Sequence, residues 1–345
     1  MLTLHVGLHK TGSTSIQSAL RVSTHRPHLR IWVPGMAGDP LDSGTAQSLV
    51  AAAEQRHVVV SSEDLLGDCV DGYAHASLRA GRLKHLYGTA DPRVVVYLRR
   101  QTDWLPSVYL QTIQEGRDLS PEDFWSRIEG APHLTWMNLL GALTEHFPRE
   151  RLIVQVQDPA RDVVDDFFAV SQLGISPASI SAPIRENVSI SATQAPLFRM
   201  VCRSGPLSRD ELRLVRNFFQ GGSTIFRSPR ISPFPTSIQN EIINRFADDW
   251  AAVSTWVDEA RHPGKLTPAA RAPWPSRPLT FAGSSLDDKA IQAEAIQALR
   301  ASILQIPAAR DPTLISRLAF KVRRNPRDVP AAFRRAVLRR TRAET

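Results

Sequence analysis

Short runs of β-branched residues alternate with longer segments of helical period along the first half of the chain. This alternation constrains the fold more than any other feature of the sequence. Parallel strands need a crossover connection, which a helix usually supplies, so the pattern indicates a parallel sheet. We therefore predict an α/β fold, a parallel β-sheet of about five strands flanked by helices. The predicted strands are 2–6, 29–33, 57–61, 93–98 and 151–156.

The helical segments share an apolar repeat of three to four residues. Those around the strands are predicted near 13–23, 44–55, 75–87, 102–115, 121–128, 135–146 and 160–171. Further helices are predicted at 191–204, 208–220 and 236–257. The strands at 57–61 and 93–98 are apolar on successive residues, which indicates burial on both faces of the sheet.

A proline-rich segment follows the predicted α/β domain. Five prolines lie between Arg261 and Pro278, where neither a helix nor a central strand could continue. The chain therefore divides into a domain at 1–260, a linker at 261–285 and a helical tail at 286–345.

The formal net charge of +8 is concentrated in the tail. Residues 261–345 carry 17 Lys and Arg against 6 Asp and Glu, which leaves 25 against 28 in residues 1–260. The basic segments 312–322 and 329–341 favour either a solvated terminal helix or contact of 312–342 with an anionic membrane surface or a polyanion. No nucleic-acid partner is expected, because the sequence holds no recognisable binding motif.

Cellular location follows from weaker signals. The chain has no run of roughly 18 apolar residues and no secretory leader pattern. Cys69 and Cys202 fit neither a zinc spacing nor a disulfide framework, and we predict that both are buried thiols. We expect a cytoplasmic protein whose basic tail would contact the inner face of the membrane.

The segment HVGLHKTGSTSIQSAL at 5–20 carries the most chemical information. A strand leads into Gly7, Lys10 and Gly12, and an amphipathic helix follows. Glycines let successive N–H groups turn inward, the helix N-terminus adds partial positive charge, and lysine adds a full one. The pattern indicates a phosphate-binding turn, although a plain helix cap has a similar composition. It is not a Walker A sequence, because Lys10 precedes the second glycine.

This loop resembles the 5′-phosphosulfate loop of sulfotransferases that use 3′-phosphoadenosine 5′-phosphosulfate, above all the bacterial and carbohydrate branches. The resemblance covers about residues 1–257 and is strongest at KTGST and at the segment VVVYLRRQTDWLPSVYLQ, 94–111. It implies a sulfotransferase of P-loop-like fold, with 3′-phosphoadenosine 5′-phosphosulfate as co-substrate and no metal. The implied nucleotide-binding residues are His9, Lys10, Thr11, Gly12, Ser13, Thr14, Arg99 and Ser107.

Three positions keep alternatives open. In the family, Arg99 and Ser107 correspond to the 3′-phosphate site, but Arg100 and Gln101 replace the usual Asn-Pro, so either arginine fits. Both arginines also fit ion pairs with acidic neighbours such as Asp103. The Gly-rich basic loop of cytosolic sulfotransferases is not evident, so a nucleotide-binding role for Arg185 has little support.

The resemblance assigns Glu63 as the catalytic base that takes the acceptor proton, with Lys10 as the second catalytic residue. Asp64 and His9 are alternative bases, and a Ser-Glu-Asp cluster also suits a helix N-terminus. The expected acceptor is a hydroxyl, on a glycan or glycolipid. The competing functions are a small-metabolite kinase using Mg-ATP and a non-catalytic polyanion or membrane-surface binder.

Overall fold

The computed structural model describes residues 1–23, 27–157, 161–174 and 190–257, with gaps in the last range at 193, 197, 200–206, 222–231 and 254. The predicted linker 261–285 and tail 286–345 lie outside the described residues, as do Arg185 and Cys202. Cys69 is a buried thiol, as predicted.

Five parallel strands form one sheet in the order β2-β3-β1-β4-β5. All five predicted strands are confirmed, and β3 and β4 are buried along almost their whole length. The strand bounds are β1 Leu2–His5, β2 Leu29–Trp32, β3 His57–Ser61, β4 Arg93–Leu98 and β5 Leu152–Val156.

The predicted helix 191–204 lies partly outside the described residues. The described helices lie close to the predicted positions. They are α1 Ser13–Val22, α2 Ser43–Ala53, α3 Ala76–Tyr87, α4 Gln101–Gln114, α5 Pro121–Ile128, α6 Trp136–Thr144, α7 Val163–Ser171, α8 Arg209–Gly221 and α9 Thr236–Val253. Short 3-10 turns, among them Glu63–Leu66 and Cys69–Asp71, join several of these elements. None of the described helices has the length and apolar character needed to cross a membrane.

The strand order assigns the helices to two faces. The chain passes from β1 through α1 to β2 in one direction across the sheet, whereas the connections through α2, α3 and α6 run in the opposite direction. Because such crossovers are right-handed, α1 covers one face and α2, α3 and α6 cover the other. On the α1 face, Ile16 and Leu20 share an apolar core with Phe167 of α7 and with Val59 and Val95 of the sheet.

The same order fixes where a ligand would bind. The chain leaves β1 towards β2 and later returns to the other side of β1 as β4, so the direction of winding reverses between β1 and β4. In open parallel sheets ligands bind beyond the carboxyl ends of the strands at such a reversal. The loops after β1 and β4 meet this description.

The described residues fall into two compact units. One comprises the described parts of Met1–Val108, Ser126–Asn187 and Glu241–Ser276 and holds the whole sheet. The other comprises those of Tyr109–Trp125 and Val188–Asn240. Its core includes the rings of Tyr109, Phe124 and Phe234, with centroids 5.5 to 6.1 Å apart. All residues of the candidate site discussed below lie in the first unit.

Candidate functional site

The β1–α1 loop, residues 6–12, turns through two left-handed residues. Gly12 has φ of 97° and Lys10 has φ of 63°, a conformation that non-glycine residues rarely adopt and that is concentrated at functional sites. The hydroxyls of Thr11 and Ser13 both donate to the carbonyl oxygen of Leu8, at 2.6 and 3.0 Å. These two hydrogen bonds join the end of the loop to its middle and so fix its curvature in the folded chain.

The N-terminus of α1 differs from those of α2 and α7. Asp42 accepts the amide of Thr45 at the start of α2, and Asp162 accepts two amides at the start of α7. The corresponding residue of α1 is Gly12, which has no side chain that could cap the helix. Amides in the first helical turn have no partner within the helix, so this end combines N–H donors with the positive end of the helix dipole. This arrangement suits an anion.

Two buried aromatic side chains hold the backbone of His9 on both sides. The His9 amide donates to Tyr73 Oη at 2.9 Å, and its carbonyl oxygen accepts from Trp104 Nε1 at 2.8 Å. The Tyr73 and Trp104 rings stack with centroids 5.9 Å apart, and both are fully buried. The loop is therefore fixed to the start of α4 and to the connection that leads into α3.

The two arginines after β4 have different surroundings. The Arg99 guanidinium donates to the carbonyl oxygen of Lys10 at 3.2 Å, which brings it to the β1–α1 loop. The Arg100 guanidinium lies 5.6 Å from the ring centroid of Trp250, and its burial lowers the pKa. Ser107 lies further along α4, where its hydroxyl donates to the carbonyl oxygen of Asp103 at 2.9 Å. A shared phosphate site of Arg99 and Ser107 stays a prediction.

Glu63 and Asp64 begin the 3-10 turn after β3. Ser62 caps this turn by accepting the amide of Asp64 at 3.1 Å, so the capping role belongs to the serine. The half-buried Glu63 carboxylate accepts a hydrogen bond from Gln17 Nε2, one helical turn beyond Ser13 on α1. Glu63 is thereby held beside the first turns of α1.

His9 joins Asp64 to Tyr73. Its Nε2 lies 3.3 Å from an Asp64 carboxylate oxygen, and its Nδ1 lies 3.0 Å from Tyr73 Oη. The hydrogen bond from His9 lowers the pKa of Asp64, and burial raises that of Tyr73 well above its usual value. Each of the three candidate bases, Glu63, Asp64 and His9, thus has a side-chain partner beside the loop.

Among the described residues, His9, Asp68 and Cys69 form a group that could offer a metal ion three ligands, with ligand atoms within 4.8 Å of one another. One Asp68 oxygen already accepts the amide of Val70 at 2.9 Å, and both His9 nitrogens are engaged. A metal ion there would have to displace hydrogen bonds that shape the β1–α1 loop.

Comparison with known proteins gives only distant similarity. No family model matches the sequence, and no curated protein matches it. Among solved structures, the chain is similar to a sulfotransferase from Alicyclobacillus acidocaldarius. The two are 18% identical with a TM-score of 0.33, over 58% of this chain and 91% of that chain. The residues and geometry of the site carry the functional proposal.

Sequence reasoning missed several residues around the loop. Tyr73 and Trp104 gave no signal, because their role depends on contacts over more than 60 positions. His5 did give a signal in the sequence, because it is a polar residue in a short apolar strand, two positions before Gly7. Arg161 lies just before α7 and pairs with Asp166 at 3.7 Å. Val163, the first residue of α7, lies close to Gly12 of the loop.

Proposed function

We propose that the protein is a sulfotransferase that moves a sulfuryl group from 3′-phosphoadenosine 5′-phosphosulfate to a hydroxyl of a glycan or glycolipid. The observation that carries this proposal is the β1–α1 loop. It joins an uncapped helix N-terminus to Lys10, with Arg99 hydrogen-bonded to the loop backbone. Cations and fixed N–H donors around one concave turn suit the phosphate groups of such a donor.

The proposal gives the two phosphates of this nucleotide separate sites. The 5′ side would lie against the amides and hydroxyls at the start of α1, and the 3′-phosphate against Arg99, before α4, and Ser107, within α4. The residues proposed to bind are His9, Lys10, Thr11, Gly12, Ser13, Thr14, Arg99 and Ser107.

The chemistry asked of the protein is charge stabilisation and positioning. The donor supplies the sulfuryl group. Lys10 would neutralise charge that develops on the oxygen between sulfur and phosphorus. Glu63 would accept the proton of the acceptor hydroxyl, and Gln17 would orient its carboxylate through their hydrogen bond.

A kinase is the competing enzyme. A Walker-type site needs its lysine after the second glycine, whereas Lys10 precedes Gly12. The position of the lysine favours the sulfotransferase.

The test is transfer of labelled sulfate from the nucleotide donor to a panel of glycan and glycolipid acceptors. We expect Lys10→Ala and Glu63→Gln each to reduce turnover by about 100-fold or more, in line with losses of charge stabilisation and of a general base. Titration calorimetry should show a preference for adenosine 3′,5′-bisphosphate over ATP, with and without magnesium.

Glu54→Gln, a change at an exposed position next to the end of α2, is the matched control and should leave turnover unchanged. Full turnover in both Lys10→Ala and Glu63→Gln would exclude the proposed roles. Magnesium-dependent preference for ATP would point to the kinase.

A further inference from the structure

His5 at the end of β1 is a fully buried imidazole with one unpartnered nitrogen. Its Nδ1 lies 2.7 Å from the hydroxyl oxygen of Ser61, its neighbour on β3. Its Nε2 is buried and has no hydrogen-bond partner among the described residues. The ring packs between Tyr97 and Phe167, with centroids 5.8 and 4.9 Å away. Buried polar nitrogens are almost always satisfied, so this one calls for an explanation.

The unpartnered nitrogen faces the inside of the β1–α1 loop. Successive side chains of a strand alternate between faces, so His5 and Gly7 point the same way. A Cβ atom on Gly7 would lie only 2.4 Å from His5 Nε2 and 3.0 Å from the hydroxyl oxygen of Ser13. The imidazole edge thus occupies the space that a side chain at residue 7 would fill, beside the first residue of α1.

The direction of the hydrogen bond with Ser61 decides which ring nitrogen carries the proton. At neutral pH the ring is uncharged, because burial lowers the pKa of His5 to about 3. When the Ser61 hydroxyl donates to Nδ1, the single ring proton lies on Nε2. The ring then presents a fixed N–H donor to the loop interior.

We propose that His5 Nε2–H donates a hydrogen bond to the phosphate or sulfate oxygen of an anion bound in the β1–α1 loop, and so belongs to the anion-binding site. This inference rests on the proposed function and adds a buried neutral donor to the cations and amides already described. An anion in the loop would satisfy the nitrogen that the described residues leave unpaired. Glycine at residue 7 leaves room for the imidazole, because a Cβ atom there would collide with His5 Nε2.

Two substitutions separate this role from packing. His5→Phe keeps an aromatic ring between Tyr97 and Phe167 but removes the donor, whereas His5→Gln keeps an N–H donor. Calorimetry with adenosine 3′,5′-bisphosphate and with inorganic pyrophosphate should show about tenfold weaker binding by His5→Phe and a smaller loss for His5→Gln. Thermal melting of both variants checks that they fold.

Nitrogen NMR of histidine-labelled wild-type protein gives a readout that packing alone would not change. The His5 Nε2 resonance, assigned by its loss in His5→Gln, should shift when pyrophosphate saturates the site. An unmoved resonance, or folded His5→Phe with wild-type affinity, would overturn the role of His5 while leaving the proposed function intact. If the wild-type protein binds neither ligand, both proposals fall.

Discussion

At the scale of single residues, Gly12 combines two constraints that no other residue type satisfies. Its φ of 97° is strained for residues with a Cβ atom, and a Cβ there would lie 2.8 Å from Val163 Cγ1. We predict that Gly12→Ala lowers the free energy of unfolding by about 1–3 kcal/mol. It should also weaken binding of adenosine 3′,5′-bisphosphate, because α1 and α7 would have to separate where the anion binds. Urea denaturation and calorimetry measure the two effects.

Gly141 provides the matched control. It lies inside α6, and a Cβ atom there would meet nothing within 4 Å. Gly141→Ala should therefore increase stability by roughly 0.5–1 kcal/mol through helix propensity and leave ligand affinity unchanged. Equal effects of the two substitutions would show that the conformation of Gly12 has no special role.

At the scale of elements, one buried carboxylate connects three helices. Asp249 of α9 accepts the amides of Trp136 and Met137 at the start of α6, at 2.8 and 2.9 Å. It also accepts Gln101 Nε2, at the start of α4, at 2.6 Å. Burial raises the pKa of this carboxyl, although the three donors oppose the shift. The hydrogen bond from Gln101 thus connects the position directly after Arg100 to α9.

We predict that Asp249→Ala lowers the free energy of unfolding by about 3 kcal/mol, because it leaves buried N–H donors unpaired. Asp249→Asn, which keeps one acceptor oxygen, should cost less. The exposed cap Asp42 is the comparison: Asp42→Ala should cost clearly less than Asp249→Ala, because solvent can replace the lost hydrogen bond. The denaturant midpoints of the three variants measure these differences in stability. An Asp249→Ala variant as stable as Asp42→Ala would contradict the prediction.

Elements that depend on local pattern could be predicted from the sequence. The β-branched runs located all five strands, and the Gly, Lys and Ser spacing located the turn between β1 and α1. Contacts across many positions could not be predicted, because residues such as Trp104 and Asp249 fit an ordinary apolar or helical pattern. The strand order, and with it the approach of Arg99 to Lys10, likewise depends on which non-local pairings form.

At the scale of the whole molecule, two histidines of the sheet determine its response to acid. Burial lowers the pKa of His5 to about 3, and that of His57, bonded to Thr3 at 3.0 Å, to about 4. In the unfolded chain both would titrate near 6.5, so below that pH the unfolded state binds protons that the folded state does not. Their contribution to stability is thus complete above pH 6.5 and is lost as the pH falls towards the folded values.

We predict that the free energy of unfolding falls between pH 6.5 and 4.5 by up to about 1.4 kcal/mol per pH unit for His5, with a smaller contribution from the partly exposed His57. Urea melts at several pH values measure this slope. The folded His5→Phe variant should show a shallower slope than the wild type. Identical slopes would mean that His5 is not the titrating group.

The position of β1 in the middle of the sheet has a consequence for folding. β1 pairs with β3 and β4, and His9 reaches Trp104 across 95 positions of sequence. The β1–α1 loop is therefore synthesised early and completed late, since α4 must fold before Trp104 can bind it. Contacts this distant along the chain slow folding. A nascent chain that ended before α4 would carry the whole motif and still lack the contact with Trp104 that holds the loop.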